Sequence, residues 1–182
     1  MLAAITIHLL CCYSCFKPMT LINSAANENI KRWRKISEHP RGAKKIGTTL
    51  AEGIHLAEVI CEKRPETRAV VVRENNVHPD VHALAERVAE ETGAKFLTVA
   101  DKLYDAVCPV ENGTGIMVEV AVEFAQSPMQ PIAEDALYLD GVQDAGNMGT
   151  LIRTALAAGV RHIAASSGSA GFWAPKELRA GM

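Results

Sequence analysis

The chain has 182 residues, of which 48% are hydrophobic and 22% are charged, so it is long enough for one or two globular domains. Its formal net charge of −2 gives no overall electrostatic reason to expect a nucleic-acid partner. The five cysteines are an odd number and three of them crowd near the N-terminus, which excludes a disulfide framework and predicts a reducing, cytoplasmic compartment.

Residues 1–18 form an apolar segment that we expect to lie outside the fold, with Met19 resembling a natural start. The segment is shorter than the about 20 residues that a membrane span needs. It also lacks the basic start and the small-residue cleavage pattern of a signal peptide. Cys12 and Cys15 have the spacing of half a zinc or redox site, but no second pair follows. We therefore predict neither a membrane segment nor a metal site here.

The first predicted helix, Ser24–Ile36, is basic on one side. Ile30, Trp33 and Ile36 share its apolar side, and the sequence HPRG ends it at residues 39–42. Local charge is concentrated in this part of the chain, in Lys31, Arg32, Arg34, Lys35, Arg41, Lys44 and Lys45. Two interpretations stay open: a solvated helix face, or a short basic arm that contacts phosphates.

Strands and helices then alternate. The predicted strands are Gly47–Ala51, Arg68–Arg73, Lys95–Val99 and Gly115–Phe124, and the predicted helices are Gly53–Lys63, Asp80–Thr92 and Lys102–Val107. This succession predicts a small α/β layer domain over residues 19–124. Glu52, His55 and Glu58 have helical spacing, but carboxylates around one histidine are more often a solvated face than a metal site, so no metal is predicted. Cys61 and Cys108 are interpreted as core thiols.

A second unit follows a proline-containing linker at residues 125–134. It begins with a predicted strand, Asp135–Leu139, and a glycine-containing loop, Asp140–Gly149. In the helix after this loop, Arg153 is the one long cation on a face of small side chains. Asn147 and Arg153 lie near a helix N-terminus, which favours anions, so they suit a phosphate or ribose site. The alternative is that Asn147 caps the helix and Arg153 is surface charge.

The stretch LDGVQDAGNMGTLIRTALAAG, residues 139–159, resembles the first signature motif of the SpoU/TrmH family, RNA 2′-O-ribose methyltransferases of the SPOUT superfamily. NSAANENIKRWRKI and LAEGIHLAEVI are similar to the substrate-binding domain of its ribosomal-RNA branch. The resemblance implies an α/β RNA substrate-binding domain followed by the first β-α-β part of a SPOUT (trefoil-knot) domain at residues 135–182. It also implies methyl transfer from S-adenosylmethionine to a ribose 2′-hydroxyl of ribosomal RNA or transfer RNA, with Asn147 and Arg153 in the catalytic centre.

Departures from the family pattern set further expectations. The two later motifs, whose knot holds S-adenosylmethionine, do not occur before Met182. We therefore expect an incomplete, C-terminally truncated domain with no cofactor-binding residues and no activity alone. Complete members are expected to be homodimers. Ser169–Ala174 lacks the acidic residue, and the serine before proline, that relatives often show. Two other hypotheses stay open: a non-catalytic RNA-binding module and a non-functional fragment.

Overall fold

A computed structural model describes residues 20–39, 42–76, 78–122 and 133–181. The predicted leader and residues 125–132 of the predicted linker lie outside the described residues, as do Cys12 and Cys15. The strands are β1 (Thr20–Ile22), β2 (Thr48–Glu52), β3 (Thr67–Arg73), β4 (Lys95–Val99), β5 (Ile116–Ala121), β6 (Ala136–Leu139) and β7 (His162–Ala165). The helices are α1 (Glu28–Glu38), α2 (Gly42–Ile46), α3 (Ile54–Lys63), α4 (Asp80–Thr92), α5 (Asp101–Val107), α6 (Ala145–Ala157) and α7 (Pro175–Ala180).

The strands form two separate sheets. The first has the order β1-β4-β3-β5-β2, in which β1, β4 and β3 are parallel and β5 is antiparallel to both β3 and β2. In the second sheet β6 and β7 are parallel, with Ala136 opposite His162. The predicted α/β class is therefore confirmed as a five-stranded unit followed by a β-α-β unit.

Helices cover both faces of the five-stranded sheet. Because successive side chains of a strand point to opposite faces, Val70 and Val72 pack in one core and Val71 in the other. Helices α3 and α4 close the first core, whereas α1 and α5 close the second. Trp33 is fully buried in the second core, as its place on the apolar side of α1 predicts.

Local signals place the ends of several helices. The Asn27 side chain accepts a hydrogen bond from the backbone N–H of Asn29 at 2.9 Å, which caps α1. Gly93 ends α4 in the left-handed region at φ +70°, as expected of a C-terminal glycine. Two elements were not predicted. Strand β1 pairs with β4 over three residues, and α2 follows α1 directly.

Helix α2 depends on a close approach between two backbone segments. A Cβ atom on Gly42 would lie 2.3 Å from the carbonyl oxygen of Lys35, so a larger residue would push α2 away from the end of α1. After the predicted break, helical structure therefore begins again at Gly42, close to the end of α1. This arrangement places Lys44 and Lys45 beside α1.

Candidate functional site

The basic surface of α1 and α2 keeps several cations exposed. Lys35, Lys44 and Lys45 are exposed, and Lys35 forms no ion pair with any described residue. Lys31 pairs with Glu28 at 2.7 Å between Nζ and Oε1, one helical turn away. The Arg34 Nε atom lies 3.9 Å from Glu38 Oε1, which is a loose contact. The predicted residue Arg41 lies outside the described residues.

Arg32 lies on the same helix but points inward. Its Nε and Nη2 atoms each donate to the Glu119 carboxylate at 2.8 Å, and the Glu119 side chain is fully buried. The Trp33 Nε1–H and the Thr48 hydroxyl donate to the same carboxylate at 2.8 and 3.0 Å. Burial alone would raise the pKa of Glu119, but these hydrogen bonds, led by those from Arg32, lower it below its ordinary value. The guanidinium of Arg32 thus has a structural partner that sequence periodicity did not indicate.

The second unit is built around the start of α6. Asp144, not Asn147, caps this helix: its side-chain Oδ1 accepts from the Asn147 backbone N–H at 2.8 Å. The helix begins at Ala145, so the predicted loop is five residues shorter than its expected extent to Gly149. The alternative interpretation, in which Asn147 caps the helix, is therefore wrong. The side-chain amide of Asn147 does not cap the helix. This exposed side chain lies on the first turn of α6.

Asn147, Thr150 and Arg153 form a slanting row on α6, because each is three residues from the next. All three are exposed. The Arg153 Nη2 atom lies 3.4 Å from the Thr150 hydroxyl oxygen, and that hydroxyl donates to the Gly146 carbonyl at 2.9 Å. No described residue forms an ion pair with Arg153. The row therefore offers an amide, a hydroxyl and a charged guanidinium near a helix N-terminus.

The end of α7 packs against the same helix. The Arg153 guanidinium donates to the Ala180 carbonyl oxygen, and a Cβ atom on Gly149 would lie 2.2 Å from that oxygen. Glycine at position 149 is therefore required for α7 to come this close to α6. Burial raises the pKa of Glu177 on α7, and the negative charge of Asp144 acts in the same direction.

Two serines hold the loop between β6 and α6. The Ser166 hydroxyl oxygen accepts from Gly141 N–H at 3.1 Å, and the Ser169 hydroxyl oxygen accepts from Val142 N–H at 3.2 Å. Ser169 also donates to the Leu139 carbonyl at 3.1 Å. These contacts come from the segment after β7, so they fix the loop only when both halves of the unit are present.

Glu52 differs from its predicted environment. It lies at the end of β2 rather than on the helix with His55 and Glu58, and its side chain is only 1% exposed. Its carboxylate accepts from the Thr114 backbone N–H at 2.6 Å and forms an ion pair with Arg179. The interpretation of these three residues as one solvated face is therefore wrong for Glu52. His55 and Glu58 remain exposed, with 3.2 Å between Nδ1 and Oε2.

The second sheet is open on its sides. Tyr138 is 63% exposed and Leu156 is 54% exposed, whereas Leu139 is buried. A cavity of about 600 Å³ lies instead beside the five-stranded sheet, at the end of β3, and its lining includes Arg73, Tyr104 and the loop 108–115. That lining contains no residue of β6 or α6. Among the helices described, none is both long enough and apolar enough to cross a membrane.

Comparison with known families identifies the first unit. The family model described as the MRM3-like substrate binding domain matches residues 27–118. The chain belongs to this family. Its match spans most of the five-stranded unit, from the start of α1 into β5.

Curated relatives extend the similarity into the second unit. The chain is 31% identical over 162 residues to the 23S rRNA (guanosine(2553)-2′-O)-methyltransferase RlmP of Bacillus subtilis, which covers 88% of this chain and 60% of that protein. It is 30% identical over 163 residues to an uncharacterized tRNA/rRNA methyltransferase of Synechocystis, covering 87% of this chain and 57% of that protein. The chain thus spans about three fifths of the length of these relatives.

Solved structures share the fold of this chain. A TrmH-family RNA methyltransferase structure from Porphyromonas gingivalis matches with a TM-score of 0.65 at 25% identity, over 87% of this chain and 58% of that one. An AdoMet-bound rRNA methyltransferase from Sinorhizobium meliloti has a TM-score of 0.70 at 24% identity, over 90% of this chain and 60% of that one. The predicted resemblance to the SpoU/TrmH family is therefore confirmed in both sequence and fold.

Proposed function

We propose that this chain supplies the RNA-facing part of an S-adenosylmethionine-dependent RNA 2′-O-ribose methyltransferase. The observation that carries the proposal is the exposed row of Asn147, Thr150 and Arg153 at the start of α6, attached to a substrate-binding unit of a family found with RNA methyltransferases. Ribosomal RNA is the proposed substrate, with transfer RNA second. A homodimer of the whole protein and a cytoplasmic location belong to the same proposal.

Arg153 is proposed to hold a phosphate and to stabilise charge. Methylation of a 2′-hydroxyl requires that the oxygen be aligned with the methyl group and lose its proton. A guanidinium does not give up its own proton near neutral pH, so Arg153 is not the base. It can instead clamp a phosphate with two parallel hydrogen bonds and favour negative charge developing on the ribose oxygen. Asn147 can donate to or accept from the ribose.

S-adenosylmethionine, when bound, supplies the electrophilic methyl group. We assign none of the described residues to its binding, because the β6–β7 layer is open and the cavity at the end of β3 has no residue of that layer. Titration of the 182-residue chain with S-adenosylmethionine in a calorimeter is expected to give no heat of binding. Saturable binding with one site per chain would contradict this assignment.

The α1–α2 surface is proposed to contact RNA phosphates through Lys31, Arg34, Lys35, Lys44 and Lys45, together with Arg41. Arg32 is left out because Glu119 engages its guanidinium. Each lysine that neutralises a phosphate releases counterions, so binding should weaken as salt concentration rises.

A salt titration tests this surface. The affinity of the chain for a structured ribosomal RNA fragment is measured from about 50 to 200 mM salt. The slope of log affinity against log salt is negative. The double variant Lys35→Gln/Lys45→Gln is expected to reduce its magnitude by about 0.7 to 0.9 for each phosphate that is no longer neutralised. Lys63→Gln is the matched control, since this exposed lysine pairs with Glu62 on α3, across the sheet from α1. An unchanged slope in the double variant contradicts the proposed surface.

A second measurement tests Arg153. Arg153→Gln is expected to weaken RNA binding about tenfold, because a hydrogen bond to a charged group is worth about 1.5 kcal/mol. Arg153→Lys should recover part of the loss by keeping the charge without the bidentate geometry. Arg161→Gln removes an exposed arginine outside α6 and serves as control. Equal affinities of wild type and Arg153→Gln would remove Arg153 from the proposed site.

A further inference from the structure

The segment after β7 contacts the first unit at two points. The Thr49 hydroxyl on β2 donates to the Trp173 carbonyl at 2.6 Å. Three residues along the same strand, the Glu52 carboxylate accepts from the Arg179 guanidinium on α7. Residues 173 and 179 flank or lie in α7, so this short helix is attached to the edge strand of the five-stranded sheet at both of its ends.

The ion pair between Glu52 and Arg179 joins a buried charge to a partly exposed one. The Glu52 side chain is 1% exposed and the Arg179 side chain 43%. A carboxylate withdrawn from water is strongly unfavourable unless it is paired and hydrogen-bonded. Within the first unit the N–H and the hydroxyl of Thr114 donate to Glu52, but the cation that pairs with it comes from the second unit, 127 residues further along the chain. The pair therefore favours one placement of α7 on β2.

A single residue, Ala180, connects Arg179 to Arg153. Ala180 directly follows Arg179, and its carbonyl oxygen accepts from the Arg153 guanidinium. The absence of a side chain at Gly149 lets this carbonyl approach α6 closely. Arg153 is thus connected to Glu52 by Arg179, one peptide unit and one hydrogen bond.

We propose that Glu52 and Arg179 are positioning residues that hold Arg153 in a fixed relation to the basic surface of α1 and α2. One RNA segment can then contact both sites without a separate ordering of the two units, which lowers the entropic cost of binding. This inference rests on the proposed contact between Arg153 and RNA. Neither Glu52 nor Arg179 needs to touch RNA itself.

A double-mutant cycle in the full chain tests the proposal through RNA affinity. In the wild-type background, Arg153→Gln is expected to lower the affinity for RNA about tenfold. In the Arg179→Met background, where α7 is released, it is expected to lower that affinity less than about twofold. Arg64→Met is the control background, because it removes a surface arginine paired with Glu91 inside the first unit at 2.6 Å. There Arg153→Gln should keep its full effect. Arg179→Lys should restore most of the coupling. If Arg179→Met folds poorly, the double variant Glu52→Gln/Arg179→Met removes both charges and carries the same expectation.

An RNA-free measurement separates the two proposals. In protein labelled with ¹⁵N-arginine, the Nη–H signal of Arg153, whose Nη1 donates to the Ala180 carbonyl, should be shifted from the exposed-arginine position in wild type and return to it in Arg179→Met. A full tenfold effect of Arg153→Gln in both backgrounds, with an unmoved signal, would overturn the positioning role while leaving Arg153 as an RNA contact. No effect of Arg153→Gln in wild type would instead refute the RNA contact, and the NMR signal would still decide whether Arg179 positions Arg153.

Discussion

Replacing Arg32 by methionine should destabilise the protein by about 3 kcal/mol, because it leaves the fully buried Glu119 carboxylate without its cation. Removing one member of a buried pair typically costs about 3 to 5 kcal/mol. The lower end applies here for two reasons. The Arg32 side chain keeps 27% of its exposure, so water already screens the pair in part. Trp33 and Thr48 also continue to donate to the carboxylate.

Urea unfolding followed by circular dichroism at 222 nm measures the change in the free energy of unfolding. The control is Arg34→Met, the same substitution two residues along α1, where the 3.9 Å contact to Glu38 is exposed and should be worth less than about 0.5 kcal/mol. The double variant Arg32→Met/Glu119→Gln should recover part of the loss, since it removes both charges while the amide oxygen can still accept from Trp33 or Thr48.

The pH dependence supplies an independent test. Burial acts to raise the pKa of Glu119, but hydrogen bonds, first from Arg32 and then from Trp33, hold it below the ordinary value of 4.5. A carboxyl whose folded pKa is lowered contributes stability that is present above 4.5 and is lost as pH falls through the folded pKa. The loss of unfolding free energy caused by Arg32→Met should therefore be largest at neutral pH and become smaller in acid. A deficit no larger than that of Arg34→Met, or one unchanged by acid, would refute the reasoning.

Three further predictions concern α7, its packing and a half-buried thiol. Ala174→Ser should stabilise α7 by about 1 kcal/mol and slow its amide exchange. Ala174 occupies the N-cap position without a side-chain hydrogen bond, and Glu177, three residues further on, is placed to complete a capping box with a serine. Unchanged amide exchange would contradict this. Gly149→Ala should loosen α7 from α6 at a cost of about 1 to 3 kcal/mol, because the new Cβ would meet the Ala180 carbonyl. Gly146→Ala is the control: its Cβ would lie 3.2 Å from the capping Oδ1 of Asp144 and would meet no atom of α7, so amide exchange should show no such loosening. Burial raises the pKa of Cys108 from 9.0 to about 11. Iodoacetamide at about pH 8 should then label Cys108 roughly 100-fold more slowly in the folded protein than in urea, as followed by mass spectrometry, and equal rates would refute its burial.

Hydrophobic periodicity predicted most of the first unit. The apolar side of α1, the glycine at the end of α4 and the buried runs of β3 and β5 are local patterns, and each appears at its predicted place. The order of the strands could not be obtained in this way. Pairing of β5 between β3 and β2 depends on contacts between residues far apart in the chain, which local propensity does not encode.

The sequence predicted which residues belong to the candidate site, but not which other residues they contact. The motif from Leu139 to Gly159 indicated a strand, a turn containing Asn147 and a helix carrying Arg153. The strand and the helix are present, but the helix begins at Ala145 and so includes Asn147. Asp144 caps the helix, since its carboxylate accepts from the Asn147 N–H. Asp144 and Asn147 are both good capping residues, and the sequence pattern alone cannot decide between two such residues three positions apart.

The family, the alternation of strands and helices, and the concentration of positive charge between residues 31 and 45 can all be recognised in the order of the amino acids. What each charge does depends on the folded protein. Arg32 turns inward to a buried carboxylate 87 residues away, while Lys35 on the same helix stays exposed. Glu52, which has the spacing of a solvated helix residue, is buried and pairs with Arg179. The physical reason is the same in both cases: the energy of a charge depends on its solvation and on its partner, and both are set by residues distant in sequence.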